Sequence, residues 1–230
     1  MIIAVEGADK AGKHTQVMKI VDYLNNKGIA TETLDFPQYN AYWGQFIKRY
    51  LNGEFGATRD LPAEYTMLPY ALDRQAHTNK IKQWVDMGKW VVFDRYTYSN
   101  VYSIAKLPRN QWNEKITHLE DMEFNQMRII RPDHNVYLYL PAEISYSMRN
   151  HGLKAYQNGK PDIHENDLKL LTDVADVYKT VAATNKQNWT VVNEIKPDGT
   201  RMNLDEVFAA LRPFIDTMIS KSKSTKINTK

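Results

Sequence analysis

The sequence predicts an α/β protein: a five-stranded parallel sheet flanked by helices on both faces, with a lid segment. Three observations carry that expectation. Short apolar runs bounded by Gly or Pro recur along the chain, amphipathic stretches separate them, and a glycine-rich turn joins the first run to the first such stretch. Continuous apolar runs mark strands buried on both faces, and their alternation with helices favours a parallel sheet. Hydrophobic residues make up 43% and charged residues 25% of the 230, an ordinary globular balance. The expectation is one domain over residues 1–220, a lid at about 150–163, and a flexible basic tail at 221–230.

Met1 to Glu6 forms the first run and stops at Gly7. A helical pattern follows, with Val17, Ile20, Val21 and Leu24 on one side, and it closes at Lys27-Gly28. Ile29 to Phe36 is the second strand, stopped by Pro37; helices are expected over about 42–51 and 62–87. Trp90 to Phe93 is a third buried strand, which delivers Asp94-Arg95 at its carboxyl end. Helices over about 97–105 and 110–130 precede a fourth strand, His134 to Leu140, framed by Pro132 and Pro141. A helix from Pro141 to Asn150 then runs into the polar stretch His151 to Asp162, whose two glycines and scattered basic side chains suit a mobile lid. A helix at about 165–186, a strand at Trp189 to Val192 and a helix at 203–219 complete the pattern.

Gly7-Ala8-Asp9-Lys10-Ala11-Gly12-Lys13 fits G-x-x-x-x-G-K and lies between a buried strand and an amphipathic helix, the context that a P-loop requires. Gly7 and Gly12 allow the backbone to approach phosphates, successive N–H groups form an anion nest, and Lys13 supplies a point charge. Gly7, Ala11, Gly12, Lys13, His14 and Thr15 are therefore the candidate ATP contacts. The consensus places Ser or Thr directly after the lysine to reach Mg²⁺, whereas this chain has His14 and then Thr15. His14 reads as an exposed helix residue, with a phosphate-donor role as the alternative.

A P-loop serves many protein classes, and other segments narrow the choice. Glu6 to Gln16 resembles the thymidylate kinase form E-G-x-D-x-x-G-K-x-T-Q. Phe36-Pro37-Gln38-Tyr39 is similar to that family's F-P-R-Y element, Tyr70 to Arg74 to its F-A-x-D-R helix, and Asp94-Arg95-Tyr96 with Ser99 to its D-R-Y-x-x-S. Arg131-Pro132-Asp133, then Leu140 to Glu143 and Arg149, also match in order, so the resemblance covers roughly residues 1–180.

This resemblance implies a P-loop NTPase fold and transfer of the γ-phosphoryl group of ATP to dTMP, with Mg²⁺. It implies that Arg95 grips the acceptor monophosphate and that Asp9 lies between donor and acceptor, holding Mg²⁺ or its waters, with Asp94 a second metal candidate. Tyr70 would stack on the base, Arg74 would bond its edge, Asn100 would complete the base contacts, and Phe36 and Tyr39 would line the slot. The competing reading of Tyr70 and its neighbours is simple helix packing. Lys10 occupies a P-loop position where some members carry Arg, while in others the arginines come from the lid, which here offers Arg149, Lys154 and Lys160. Departures are Gln38 in place of Arg, a Tyr102-Ser103 pair one residue out of step with the family's ribose-crowding tyrosine, and His164 where an aromatic is usual. Two rival readings stay open: a kinase for another or modified pyrimidine deoxynucleotide, and a nucleotide-binding regulatory protein that has lost catalysis.

A net charge of +3 and four dispersed lysines in the last ten residues make no groove for a nucleic-acid polymer. The absence of cysteine excludes disulfides and thiolate metal sites and suits a reducing cytoplasm. The apolar N-terminal run is too short for a signal segment, and no stretch reaches membrane-spanning length. A cytoplasmic enzyme is expected, and the resemblance implies a homodimer.

Overall fold

The computed structural model describes residues 1–153, 155–157 and 159–227; Lys154, Asn158 and 228–230, the end of the expected tail, lie outside the described residues. Five parallel strands, β1 (Ile2–Gly7), β2 (Thr31–Asp35), β3 (Trp90–Asp94), β4 (His134–Tyr139) and β5 (Trp189–Asn193), form one sheet in the order β2-β3-β1-β4-β5. β1 is central: Val5 stands beside Asp94 on one side and beside Val136 on the other.

Side-chain alternation along the central strands builds two cores. Ile3 and Val5 of β1 and Val92 of β3 pack with α1 (Lys13–Asn26) and α8 (Leu204–Ile227), which contribute Ile20, Leu24, Leu211 and Ile215. Ile2, Ala4, Val91 and Phe93 point the other way and meet Ala71 and Ile81 of α3 (Ala63–Asp86). Period-two alternation therefore holds even where every residue is apolar, because both faces are covered. Tyr137 of β4 joins a third cluster with α4 (Val101–Ala105), α5 (Trp112–Glu120) and α7 (Leu168–Thr184). Two shorter helices, α2 (Tyr42–Leu51) and α6 (Ala142–Ser147), stand near the carboxyl ends of the strands.

Three expected helices differ in detail. The single helix over 110–130 stops as α5 at Glu120 and widens into a π-helical turn, Asp121–Gln126, that turns Glu123 fully inward. The segment over 97–105 begins as a 3₁₀ turn, Thr97–Asn100, before α4. The last helix runs to Ile227 rather than stopping near 219, so most of the segment read as a flexible tail continues α8. Once a helix is anchored by Met218 and Ile219, adding residues costs little, and Ser222 Oγ bonds back to the Ile219 carbonyl at 2.9 Å.

Candidate active site

The P-loop leaves the central strand at Gly7, where a Cβ would sit 2.6 Å from the Leu138 carbonyl oxygen of β4, so only glycine fits. Lys10 (φ 68°) and Gly12 (φ 67°) are left-handed, the backbone habit from which anion nests are made. Lys13 is buried, and its Nζ donates to the Ala8 carbonyl at 2.7 Å, so the ammonium lies across the loop. Ala11 is buried and Thr15 half-buried in the first turn of α1. His14 has a side chain 77% exposed, with Nδ1 3.5 Å from Asp94 Oδ2, which matches the exposed-residue reading.

Two residues that sequence reasoning missed clamp the loop from outside. Ser145 Oγ donates to the Asp9 carbonyl at 2.8 Å, and Arg201 Nη2 donates to the Lys10 carbonyl at 2.6 Å. Arg201 is fixed in turn by Nε donating to Glu194 Oε2 at 2.9 Å. It reaches the loop from an Ile195–Arg201 bridge beyond the motifs, where no sequence signal marked it. Arg149 folds back instead: its Nη1 donates to the Tyr146 carbonyl at 2.9 Å and its guanidinium lies 3.8 Å from that ring's centre.

The loop after β3 faces the P-loop across the sheet end. Arg95 is left-handed (φ 67°) and directs Nη2 to Asp9 Oδ1 at 2.8 Å and Nη1 to the Gly7 carbonyl at 3.1 Å. Burial opposes its charge, but Asp9, Tyr102, Tyr178 and Asp94 together outweigh it, so the guanidinium holds its proton firmly. Glu6 underlies this loop, fully buried: Oε1 accepts from the Tyr96 N–H at 2.9 Å, and Oε2 accepts from Ser99 Oγ at 2.6 Å and Tyr178 OH at 2.9 Å. Burial raises its pKa, against the pull of Ser99 and Arg95.

Beyond Arg95 opens a cleft whose space, open solvent included, is about 510 Å³. Phe36, Tyr39, Tyr70, Arg74, Asn100 and Asp9 all line it, so the structure gathers the sequence-predicted nucleotide residues around one space. Arg74 is 1% exposed and its charge is matched by Glu123, a residue absent from the sequence reading: Nε donates to Oε2 at 2.8 Å and Nη2 to Oε1. Gln38, the departure from Arg, turns away and donates from Nε2 to Asp35 Oδ1 at 2.8 Å. Of the Tyr102-Ser103 pair, Ser103 accepts a bond from Thr66 Oγ1 at 2.8 Å, while the Tyr102 ring stacks on His164 with centres 4.9 Å apart.

His164, Tyr156 and Asp162 close the cleft from the lid side. Tyr39 OH donates to Tyr156 OH at 3.1 Å, and Tyr156 OH to Asp162 Oδ2 at 3.0 Å. Asp162 Oδ1 also accepts the His164 and Glu165 N–H groups, so one carboxylate orders the end of the lid. Lys10 Nζ meets Glu165 Oε1 at 3.2 Å, which ties the P-loop to the lid. Lys160 lines a separate outer groove with Arg59.

A phosphate loop after the central strand, an arginine loop after its neighbour and a lidded cleft between them define a P-loop kinase acting on a small nucleotide, placed where open α/β sheets bind ligands. Comparison sharpens the class. The thymidylate kinase family model matches residues 5–200, and the chain belongs to that family. It is 34% identical to the thymidylate kinase of Plasmodium falciparum over 157 residues, covering 67% of this chain and 69% of that protein. Against the Mycobacterium tuberculosis thymidylate kinase it is 32% identical over 194 residues, 82% of this chain and 87% of the relative. The solved thymidylate kinase of Candida albicans superposes with a TM-score of 0.70 at 20% identity, covering 94% of this chain and 91% of that one, a match of fold.

Proposed function

We infer that the chain is an ATP-dependent nucleoside-monophosphate kinase that transfers the γ-phosphoryl group of ATP to dTMP, giving dTDP. The observation that carries this reading is the Asp9–Arg95 pair standing between the P-loop and the lidded cleft. Family membership does not favour the two rival readings, a kinase for another pyrimidine deoxynucleotide or a protein that has lost catalysis.

The resemblance and the positions of the residues support the following roles. Gly7, Ala11, Gly12, Lys13, His14 and Thr15 would receive ATP; Arg95 would leave part of its bond to Asp9 and take the acceptor phosphate, to which its planar fork is suited. Phe36, Tyr39 and Tyr70 would hold the nucleoside, and Arg74 and Asn100 its base. The acceptor is already a phosphate oxygen, so alignment and charge neutralisation suffice and no strong base is required. Lys13 and Lys10 would spread positive charge over the moving phosphoryl group, with Arg149 or Arg201 added if the lid and the loop beyond β5 shift. Lid closure keeps out water that would otherwise hydrolyse ATP.

Mg²⁺ fits the donor set. Among the described residues no group of three or more acidic or histidine side chains is poised for a metal, yet Mg²⁺ needs only one or two carboxylates when phosphates and water complete its shell. Asp9 and Asp94 are the oxygen donors that would hold it, and it would neutralise charge between the two phosphates. We further propose that residues 1–220 act as one domain, that the chain works in the cytoplasm and that it pairs as a homodimer. Among the described residues no helix is long and apolar enough to cross a membrane.

Coupled ADP release tests the reading. ADP should appear only when dTMP is added, and Arg95→Ala should lower kcat/KM for dTMP by roughly a hundredfold or more while the KM for ATP changes a few-fold. ADP release equal with and without dTMP would contradict it.

A further inference from the structure

One carboxylate organises the inner wall of the cleft. The π-helical turn at Asp121–Gln126 carries Glu123 to a fully buried position, where four donors from three residues converge on it. Two come from the Arg74 guanidinium, one from Thr97 Oγ1 at 2.8 Å and one from Asn100 Nδ2 at 2.9 Å. A carboxylate only accepts, so every group facing it must present hydrogen.

That requirement fixes the polarity of the wall. Asn100 points its NH₂ at Glu123 and at the Met67 carbonyl, 3.3 Å away, so its Oδ1 is left as a buried acceptor with no hydrogen-bond partner among the described residues. Arg74 spends Nε and Nη2 on Glu123 and one Nη1 hydrogen on the Tyr96 carbonyl at 3.2 Å. A guanidinium has five N–H groups, so donors remain. Both residues line the cleft, which thereby offers an acceptor beside a donor.

We propose that Glu123 is a positioning residue that sets base selection by locking the Asn100 amide and the Arg74 guanidinium in this polarity. The inference rests on the kinase reading given above. A 4-oxopyrimidine edge presents a ring N–H beside a carbonyl and complements the locked wall. A 4-aminopyrimidine edge presents a ring acceptor beside an amino donor and meets it with like against like. Buried polar groups left unpaired are what make such discrimination steep.

The test is the ratio of kcat/KM for dTMP to that for dCMP, with the KM for ATP measured alongside. Glu123→Gln keeps the shape but replaces one acceptor oxygen by an NH₂, so the wall no longer demands a donor at every position and the Asn100 amide is released to turn its NH₂ to the cleft. The ratio should then fall roughly tenfold or more, with the KM for ATP unchanged. Thr97→Val removes a single donor and leaves the carboxylate, so it should fold even if Glu123→Gln does not, and the ratio should fall about two- to fivefold. A uniform loss of kcat for both nucleotides, or an unchanged ratio in the folded variants, overturns the proposal and assigns Glu123 to stability alone. Wild-type protein is assayed first: dTMP-dependent ADP release with an unchanged variant ratio sinks only the Glu123 role, while no release from wild type sinks the kinase reading and this inference together.

Discussion

Arg95 and Asp9 are the pair on which the rest of the site turns, and each is largely shielded, at 12% and 16% side-chain exposure. The sequence named both residues because their motifs are local, but it named partners poorly wherever the partner lay far along the chain. Arg74 was legible from its motif; Glu123, forty-nine residues later, was not, since a glutamate inside a helical stretch looks like any solvent-facing one. Arg201 was invisible for the same reason, 191 residues from the Lys10 carbonyl that it grips. Because it holds the loop's backbone, Arg201→Met should raise the KM for ATP by roughly tenfold while leaving the KM for dTMP close to wild type, as steady-state titrations of each substrate would reveal. Lys10 is shared between loop and lid through Glu165. Lys10→Ala should lower kcat by about ten- to a thousandfold with nucleotide affinity less affected, and an unchanged kcat would shift the task to another cation.

At the scale of elements, strands and long helices were readable because their periodicity spans many residues, whereas the break at Glu120 and the extension of the last helix were not. Both depend on tertiary support: inward bonds to Glu123 in one case, anchoring of Met218 and Ile219 in the other. The lid was readable as polar and glycine-bearing, but its docking through Tyr156, Asp162 and His164 was not. Burial pushes the His164 imidazole down to about 3, against Asp9 and Asp167, which favour its charged form, while Lys106 and Arg95 add to the depression. Its ring is held by Tyr50 OH at 2.8 Å and by the stack on Tyr102. The closed state therefore binds fewer protons than an open one, so this contribution is complete above pH 6.5 and is lost progressively as pH falls toward 3. Limited proteolysis within 150–163 should accelerate on the order of tenfold per pH unit below 6.5, and His164→Phe should flatten that dependence. Identical pH profiles for the two proteins would assign the effect to a group other than His164, and not to Glu165, whose pKa burial raises so that acid favours its closed, protonated form.

For the whole molecule, the sheet order explains why distant motifs form one site. β1 lies between β3 and β4, so the loops after β1 and β3 emerge side by side, and α6, which follows β4, reaches the P-loop through Ser145. The parallel α/β class followed from alternation alone; the strand order, and with it this placement, did not, because periodicity carries no information about neighbours. His14 does not line the cleft, and 77% of its side chain is exposed. His14→Ser should keep its kcat and lower the Mg²⁺ concentration giving half-maximal rate, by restoring a hydroxyl beside the phosphates. A folded but inactive His14→Ser protein would instead make the imidazole a phosphate donor. Phosphoryl transfer between two nucleotides under a closed lid can be followed through the terminal phosphate of γ-labelled ATP. With dTMP and Mg²⁺ present, the label should be recovered in the β-phosphate of dTDP, with little released as inorganic phosphate. Label found mainly as inorganic phosphate, or left on ATP whatever monophosphate is supplied, would contradict the account.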